Sequence, residues 1–226
     1  MIRMFHVFKV FPNKIHALSD INIHIKKGEF VFLVGPTGAG KTTFLKLIYR
    51  GILPTKGQVI VDGVNLARLK KSLVPYLRRE IGVVFQDFKL LYDRNVFENV
   101  AFSLRVVGNK NSVIKQKVNE ILNIIGLFHK RNTNPHLLSG GEQQKLCIAR
   151  AVVTHPLILI TDEPTGNLDP ETSWDIMQLL FKINIWGTTV IVASHDKLIG
   201  DKAQKRVIRI EGGKVASDTK KGIYSL

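Results

Sequence analysis

Apolar and polar residues change their period several times along this chain, and each change marks an element. Residues 2–10 and 17–25 alternate or nearly alternate, the pattern of half-buried strands, with Pro12, Asn13 and Lys14 as a turn between them. Lys27-Gly28-Glu29 then turns the chain into Phe30-Val31-Phe32-Leu33-Val34, an unbroken apolar run that reads as a buried strand. From Lys41 the spacing becomes helical through Phe44, Leu45, Leu47 and Ile48, and Gly51 suits the C′ position. Residues 58–61 form a further strand, and Asp62-Gly63 is a hairpin signal.

Residues 81–86 read as another buried strand, ending in the polar Gln86. From about 88 to 137 the pattern is helical. There Ser112 is placed to cap a helix with Val113, Ile114, Val118, Ile121, Leu122 and Ile125 as apolar positions and Gly126 at its stop. An apolar run over 156–162 ends in Asp162. Asp169-Pro170 opens a helix that reaches nearly to Gly187, with Asp at the N-cap and Pro at N1. Residues 188–193 are a β-branched strand. Strands alternating with helices predict an α/β fold with a mostly parallel sheet covered on both faces. The first 65 residues add antiparallel hairpins. The expected organisation is one domain over 1–226. Its α/β core, with an antiparallel β subdomain, spans 1–87 and 156–226, and a helical subdomain spans 88–155.

Composition narrows the setting. With 226 residues and 45% hydrophobic content the chain can bury a substantial core. No apolar run approaches the roughly 18–20 residues of a membrane span, and the first residues lack the apolar region of a signal peptide. The expectation is a protein made and kept in the cytosol. Cys147 stands alone in an apolar run and reads as a buried structural thiol. The net charge of +15 invites an anionic partner. An anionic membrane surface is preferred to nucleic acid, because no zinc-finger or RNA-binding signature accompanies the charge.

The chemistry begins after the first buried strand. Gly35-Pro36-Thr37-Gly38-Ala39-Gly40-Lys41-Thr42, followed by Thr43, fits G-x-x-x-x-G-K-[ST], the pattern of a phosphate-binding P-loop. Glycines let the backbone turn and present N–H groups, which form an anion nest with the next helix N-terminus. In that reading Lys41 reaches the β- and γ-phosphates of ATP and the Thr42 hydroxyl takes Mg²⁺. A second apolar strand delivers Asp162 to a sheet edge, where it is placed to hold Mg²⁺. Glu163 beside it is placed to polarise an attacking water. The third signal is Leu138-Ser139-Gly140-Gly141-Glu142-Gln143-Gln144. Ser139 and Glu142 match a capping box, yet two glycines in a first helical turn cost about 1 kcal/mol each relative to Ala. Close approach of phosphate to exposed N–H groups explains them better.

With these motifs in this order the chain resembles the ABC-type ATPases over nearly its whole length. The resemblance implies a P-loop ATPase core and further site residues. Phe11 occupies the place of the aromatic that stacks on adenine, where the family more often has Tyr. Gln86 matches the glutamine that contacts Mg²⁺ and water and senses the γ-phosphate. Gly166-Asn167-Leu168-Asp169 matches the D-loop, and His195 the switch histidine at the γ-phosphate. It also implies that Ser139, Gly140, Gly141 and Glu142 complete the P-loop of a second copy. Two ATP molecules would then be sandwiched in a head-to-tail homodimer.

Within the family, Asp87-Phe88-Lys89-Leu90-Leu91-Tyr92-Asp93-Arg94-Asn95-Val96-Phe97-Glu98-Asn99-Val100 is similar to the stretch carried by cell-division members. Asp87 with Asp93-Arg94 is the more discriminating part. Asp162-Glu163-Pro164-Thr165-Gly166-Asn167-Leu168-Asp169 is shared with lipoprotein-release and macrolide-export ATPases, so an exporter subunit remains an alternative. A soluble nucleic-acid machine is a second one, although such proteins usually carry two cassettes or coiled-coil arms. Lys145-Leu146-Cys147 departs from the usual Arg-led stretch, and Thr43 follows Thr42, without touching the phosphate chemistry. The cell-division resemblance implies an integral membrane subunit docking near 86–100. It also implies a place on the cytoplasmic face of the bacterial inner membrane and an output that activates cell-wall hydrolysis.

Overall fold

The computed structural model describes residues 1–194 and 204–220. Two long strands, β1 (Ile2–Val10) and β2 (His16–Ile25), pair antiparallel. The buried strand β3 (Phe30–Val34) leads through the glycine loop into α1 (Lys41–Ile48). β4 (Lys56–Val61) returns against β1, and Asp62 and Gly63, at φ 46° and 79°, turn it into β5 (Val64–Asn65). Positive φ at both central residues is the type I′ hairpin that Asp-Gly favours. A short helix, α2 (Val74–Arg79), precedes β6 (Ile81–Val84). Three helices follow: α3 (Val96–Val106), α4 (Asn111–Ile124) and α5 (Gly140–Val152). The chain ends its described course with β7 (Ile158–Asp162), α6 (Pro170–Ile185), β8 (Thr189–Ser194), β9 (Arg206–Glu211) and β10 (Lys214–Thr219).

These strands make a four-stranded sheet in the order β2-β1-β4-β5 and a six-stranded sheet in the order β10-β9-β3-β8-β7-β6. The first is antiparallel. In the second, β9, β3, β8, β7 and β6 run parallel and only β10 is reversed. The fold is therefore the α/β architecture the alternation of elements predicts.

Strand periodicity divides the core in two. Phe30, Phe32 and Val34 of β3 face a cluster with Leu104 of α3, Val118 of α4, Leu146 of α5 and Leu180 of α6. Val31 and Leu33 face the opposite cluster, with Phe44 and Leu47 of α1 and Ile2 and Leu18 of the antiparallel sheet. A strand buried on both faces needs apolar side chains at successive positions, which is why β3 and β7 show no alternation.

Several boundaries differ from the sequence expectation. β6 stops at Val84, because Phe85 and Gln86 turn outward into solvent. The α1 C-terminus does not use Gly51 as its left-handed residue. Arg50 takes that conformation at φ 53°, its N–H bonding Leu47 O at 3.2 Å while Gly51 N–H reaches back to Lys46 O at 2.8 Å. That pair of bonds is a Schellman closure with Gly51 one place later, at C″. α4 starts at Asn111 with Lys110 at the N-cap, so Ser112 lies inside the first turn and caps nothing. Its stop is as expected, with Gly126 at φ 74°. Residues 88–95 are a loop, and the helical run begins only at Val96, where Asn95 accepts the Glu98 N–H at 2.8 Å.

Phe44 is fully buried at the centre of the α1-side cluster. Phe44→Ala should destabilise the fold by about 3–5 kcal/mol, read as a lowered urea midpoint with an unchanged slope.

Candidate functional site

The glycine loop takes its shape from close backbone contacts. Gly35 sits at φ 151°, and a Cβ there would lie 2.1 Å from Ile210 O of β9. Gly40 sits at φ 108°, and a Cβ there would lie 2.5 Å from Ala17 O of β2. No other residue fits either position, so both sheets grip the loop. Pro36, Thr37 and Gly38 are exposed at its crest, and Ala39 is buried beneath them. The loop hands its chain to α1, whose first N–H groups have no acceptor one turn earlier and point toward the crest.

Lys41 is 6% exposed, yet its ammonium meets no carboxylate among the described residues. Its Nζ donates to Gly35 O at 2.7 Å and Pro36 O at 3.2 Å. Among the described residues its partners are carbonyls, so no neighbouring carboxylate occupies the side that faces the loop crest. Thr42 Oγ1 donates to Asp162 Oδ2 at 2.9 Å. Burial pushes the Asp162 carboxyl above its ordinary range. The Thr42 hydrogen bond opposes that shift and the neighbouring Glu163 charge adds to it. A hydroxyl and one carboxylate, both hard oxygen donors, fit Mg²⁺ held jointly with substrate phosphates.

Glu163 adopts φ 50°, a left-handed conformation that costs of order 1–3 kcal/mol in a non-glycine residue. It is held there by its N–H bond to Ala193 O at 2.9 Å. The strained backbone of Glu163 thus lies directly beside the half-buried Asp162. Gln86 lies exposed in the turn beyond β6. Because Val84 pairs in register with Thr161, Gln86 reaches the same carboxyl edge as Asp162. Phe11 is half-buried in the turn joining β1 to β2, with Lys9 Nζ 5.3 Å from its ring centre. His195 lies outside the described residues.

The second group is built on helices. Ser139 caps α5, with Glu142 N–H donating to Ser139 Oγ at 3.3 Å and Ser139 N–H donating to Glu142 Oε2 at 3.0 Å. Gly141, expected to present its N–H to phosphate, is buried and has a packing reason, since a Cβ there would lie 2.4 Å from Thr172 Cγ2 of α6. Gly140 stays exposed and faces Leu168, 3.4 Å from where its Cβ would be. Asp169 caps α6 by accepting the Thr172 N–H at 2.9 Å, and bonds to the Thr172 hydroxyl and N–H hold its carboxyl below the ordinary range.

Residues 35–43, Asp162 and Glu163 therefore gather at one sheet edge, while 139–142 gather with Leu168, Asp169 and Thr172. No hydrogen bond or ion pair joins 139–142 to 35–43 among the described residues. Three features escaped the sequence reading. One is the β9 contact that enforces Gly35. Another is the grip of Lys130 on Glu142 at 2.5 Å. The third is a left-handed pair, Phe88 and Lys89 at φ 56° and 50°, whose carbonyls accept Arg150 Nη2 at 2.9 Å and Nη1 at 2.5 Å. Cys147 Sγ also donates to Phe88 O at 3.1 Å, and burial pushes this thiol up to about 12, so it is the inert structural cysteine expected.

Comparison with known proteins matches residues 18–166 to the family model described as ABC transporter. The chain is 53% identical over 224 residues to the cell division ATP-binding protein FtsE of Bacillus subtilis (strain 168), covering 99% of this chain and 98% of that protein. Among solved structures it resembles the dimeric structure of MJ0796, a bacterial ABC transporter cassette. The TM-score is 0.89 at 36% identity, covering 99% of this chain and 100% of that one. The same cassette in a dimeric post-hydrolysis state bound to ADP and Pi matches with a TM-score of 0.88 at 35% identity, with the same coverage.

Asp162 gives a test by linkage. Its folded carboxyl holds a proton more tightly than the unfolded chain does, so the stability it contributes is present in acid. That contribution is lost as pH rises through the raised value. Asp162→Asn should therefore melt at a higher temperature than wild type near neutral pH without nucleotide. The difference should shrink in acid, as read by calorimetry across pH.

Proposed function

Because this chain belongs to the ABC transporter family, we propose that it is the ATP-hydrolysing subunit of a membrane complex acting in bacterial cell division. It is an ATP hydrolase with cell-division ATP-binding proteins among its relatives, and ATP is its nucleotide. One observation carries the mechanistic reading. Among the described residues the P-loop group and the Ser139 group stand apart, with no hydrogen bond or ion pair between them. Two copies arranged head to tail would give two complete sites. The dimeric cassettes it resembles support that arrangement.

In each composite site Lys41 and the N–H groups of the loop bind the β- and γ-phosphates, and Phe11 stacks on adenine. Thr42, Asp162 and Gln86 would hold Mg²⁺, which supplies charge neutralisation at the phosphates when bound. Glu163 accepts a proton from water as that water attacks the γ-phosphorus. The bond from γ-phosphorus to the bridging oxygen breaks, leaving ADP and inorganic phosphate. His195 and the partner protomer's signature N–H groups stabilise the γ-phosphoryl charge, and Asp169 lies at the dimer seam. Closure on ATP and reopening after hydrolysis are the mechanical output.

The output goes to an integral membrane subunit of the FtsX type, and through it to activation of cell-wall hydrolysis. A groove of about 620 Å³ supports docking there, its walls including Pro75, Arg79, Phe85, Leu91, Phe102 and Val106. Phe85, Phe102 and Val106 are 38%, 39% and 58% exposed, an apolar surface beside Gln86 suited to a partner helix. No helix among the described residues is long and apolar enough to cross a membrane. The partner, aided by the basic charge, would hold the chain at the cytoplasmic face of the inner membrane.

Affinity capture of Glu163→Gln from membranes with ATP tests this. The variant should retain an FtsX-type subunit while its turnover falls on the order of 100-fold or more, the usual share of a general base. Wild-type turnover in the variant, or recovery of a lipoprotein-binding permease instead, would contradict it.

A further inference from the structure

The loop bearing Ser139 is held by a side chain from another segment. Lys130 closes a short 3-10 turn (Phe128–Lys130), and its Nζ lies 2.5 Å from Glu142 Oε1. The other carboxylate oxygen, Oε2, accepts the Ser139 N–H at 3.0 Å. Both side chains are largely out of water, 34% exposed for Lys130 and 23% for Glu142. One carboxylate thus spans a lysine and the N-cap peptide of α5. The capping box ties one carboxylate oxygen of Glu142 to the Ser139 N–H and leaves the other oxygen for a second partner. The charge-assisted bond to Lys130 fixes the other end and so the direction of the Ser139 N–H. Burial alone would raise the Glu142 carboxyl, yet Lys130 and the Ser139 N–H bring it below its ordinary range and keep it an acceptor.

Lys130 is itself placed by backbone. Its turn runs on into Arg131 and Thr133, whose carbonyls accept the N–H groups of Phe97 at 2.9 Å and Val96 at 3.0 Å, the first residues of α3. The loop before α3 is tied to the same frame. Buried Asn99 donates to Leu91 O at 2.9 Å and to Arg94 O and Asn95 O at 3.0 Å. Backbone hydrogen bonds thus tie the Lys130 turn to the start of α3, and Asn99 ties the 91–95 loop to the same helix.

We infer that Lys130 is a positioning residue for the Ser139 loop: through Glu142 it holds that loop in the orientation that meets the partner protomer's γ-phosphate. It also ties that orientation to the α3 N-terminus. This rests on the reading that 139–141 act on a second copy. A purely structural capping role would show as lost stability alone. A positioning role shows as a loss confined to ATP-driven pairing.

The test uses the full chain carrying Glu163→Gln, with Lys130→Met or Lys130→Arg added. Three quantities are read: amide exchange at Ser139 and Glu142 without nucleotide, affinity of the single protomer for a fluorescent ATP analogue, and ATP-driven dimerisation by sedimentation. Lys130→Met should speed exchange at these amides about tenfold and weaken dimerisation about tenfold, the scale of one charge-assisted hydrogen bond. Its melting temperature should fall by only about 2–4 °C, its protomer affinity should match the parent, and Lys130→Arg should restore the losses. Unchanged exchange overturns the inference. So does an Arg variant as defective as the Met variant, or a fall in protomer affinity parallel to dimerisation. A parent that fails to dimerise on ATP defeats the reading of action on a second copy instead, and the inference falls with it whatever the exchange shows.

Discussion

The 2.9 Å hydrogen bond from Thr42 to Asp162 depends on a strand that contributes neither residue. β8 lies between β3 and β7 and pairs in parallel with both, Val34 opposite Ser194 and Asp162 opposite Ala193. That register brings the exits of β3 and β7 to one edge and sets the P-loop helix above the acid. The same strand gives the carbonyl of Ala193 to the Glu163 N–H, holding the strained acid beside its neighbour. Parallel sheets build sites at their carboxyl edge for this reason: the strands are rigid and buried, and the loops leaving them are free to carry polar chemistry. The two apolar clusters on either face keep the register from slipping.

The Ser139 group stands on a different foundation. It rests on α5 and α6, where Gly141 lets the two helices approach at Thr172. It is linked to the Gln86 loop by an unusual anchor. Arg150 of α5 is largely buried, and burial lowers its pKa; among the described residues it meets carbonyls rather than a carboxylate. Those carbonyls belong to Phe88 and Lys89, each in a conformation that non-glycine residues avoid. The anchor joins the turn after β6 to the helix that begins at the signature. Gln86 beyond β6 and Ser139 at the N-terminus of α5 are thus connected through protein.

Much of this was readable from residues. The apolar runs of β3 and β7 are legible because a strand buried on both faces is apolar at successive positions, and Asp62-Gly63 because that pair is favoured in a type I′ hairpin turn. The P-loop pattern is legible since Gly35 and Gly40 are enforced by contacts that no Cβ survives. The misreadings share a cause: local sequence offered a plausible partner and tertiary structure chose another. Gly51 looked like the helix stop, but Arg50 bore the left-handed turn. Ser112 looked like a cap, but α4 began one residue earlier. β9 carries Arg206, Arg209 and Glu211 among apolar residues and no motif, and its role appears only when Ile210 is seen against Gly35. Lys130 lies twelve residues from Glu142 in sequence, so no local pattern could pair them.

The central claim is that each ATP site is assembled from two copies. It is tested most directly by mixing two inactive variants, Lys41→Ala, defective in the P-loop, and Ser139→Arg, defective in the signature. In a head-to-tail mixed dimer one site collects both defects and the other is intact. ATPase activity should therefore reappear on mixing, at a fraction of wild type, although neither variant turns over alone. A mixture as inactive as its components would mean that each chain completes its own site, and would contradict the account.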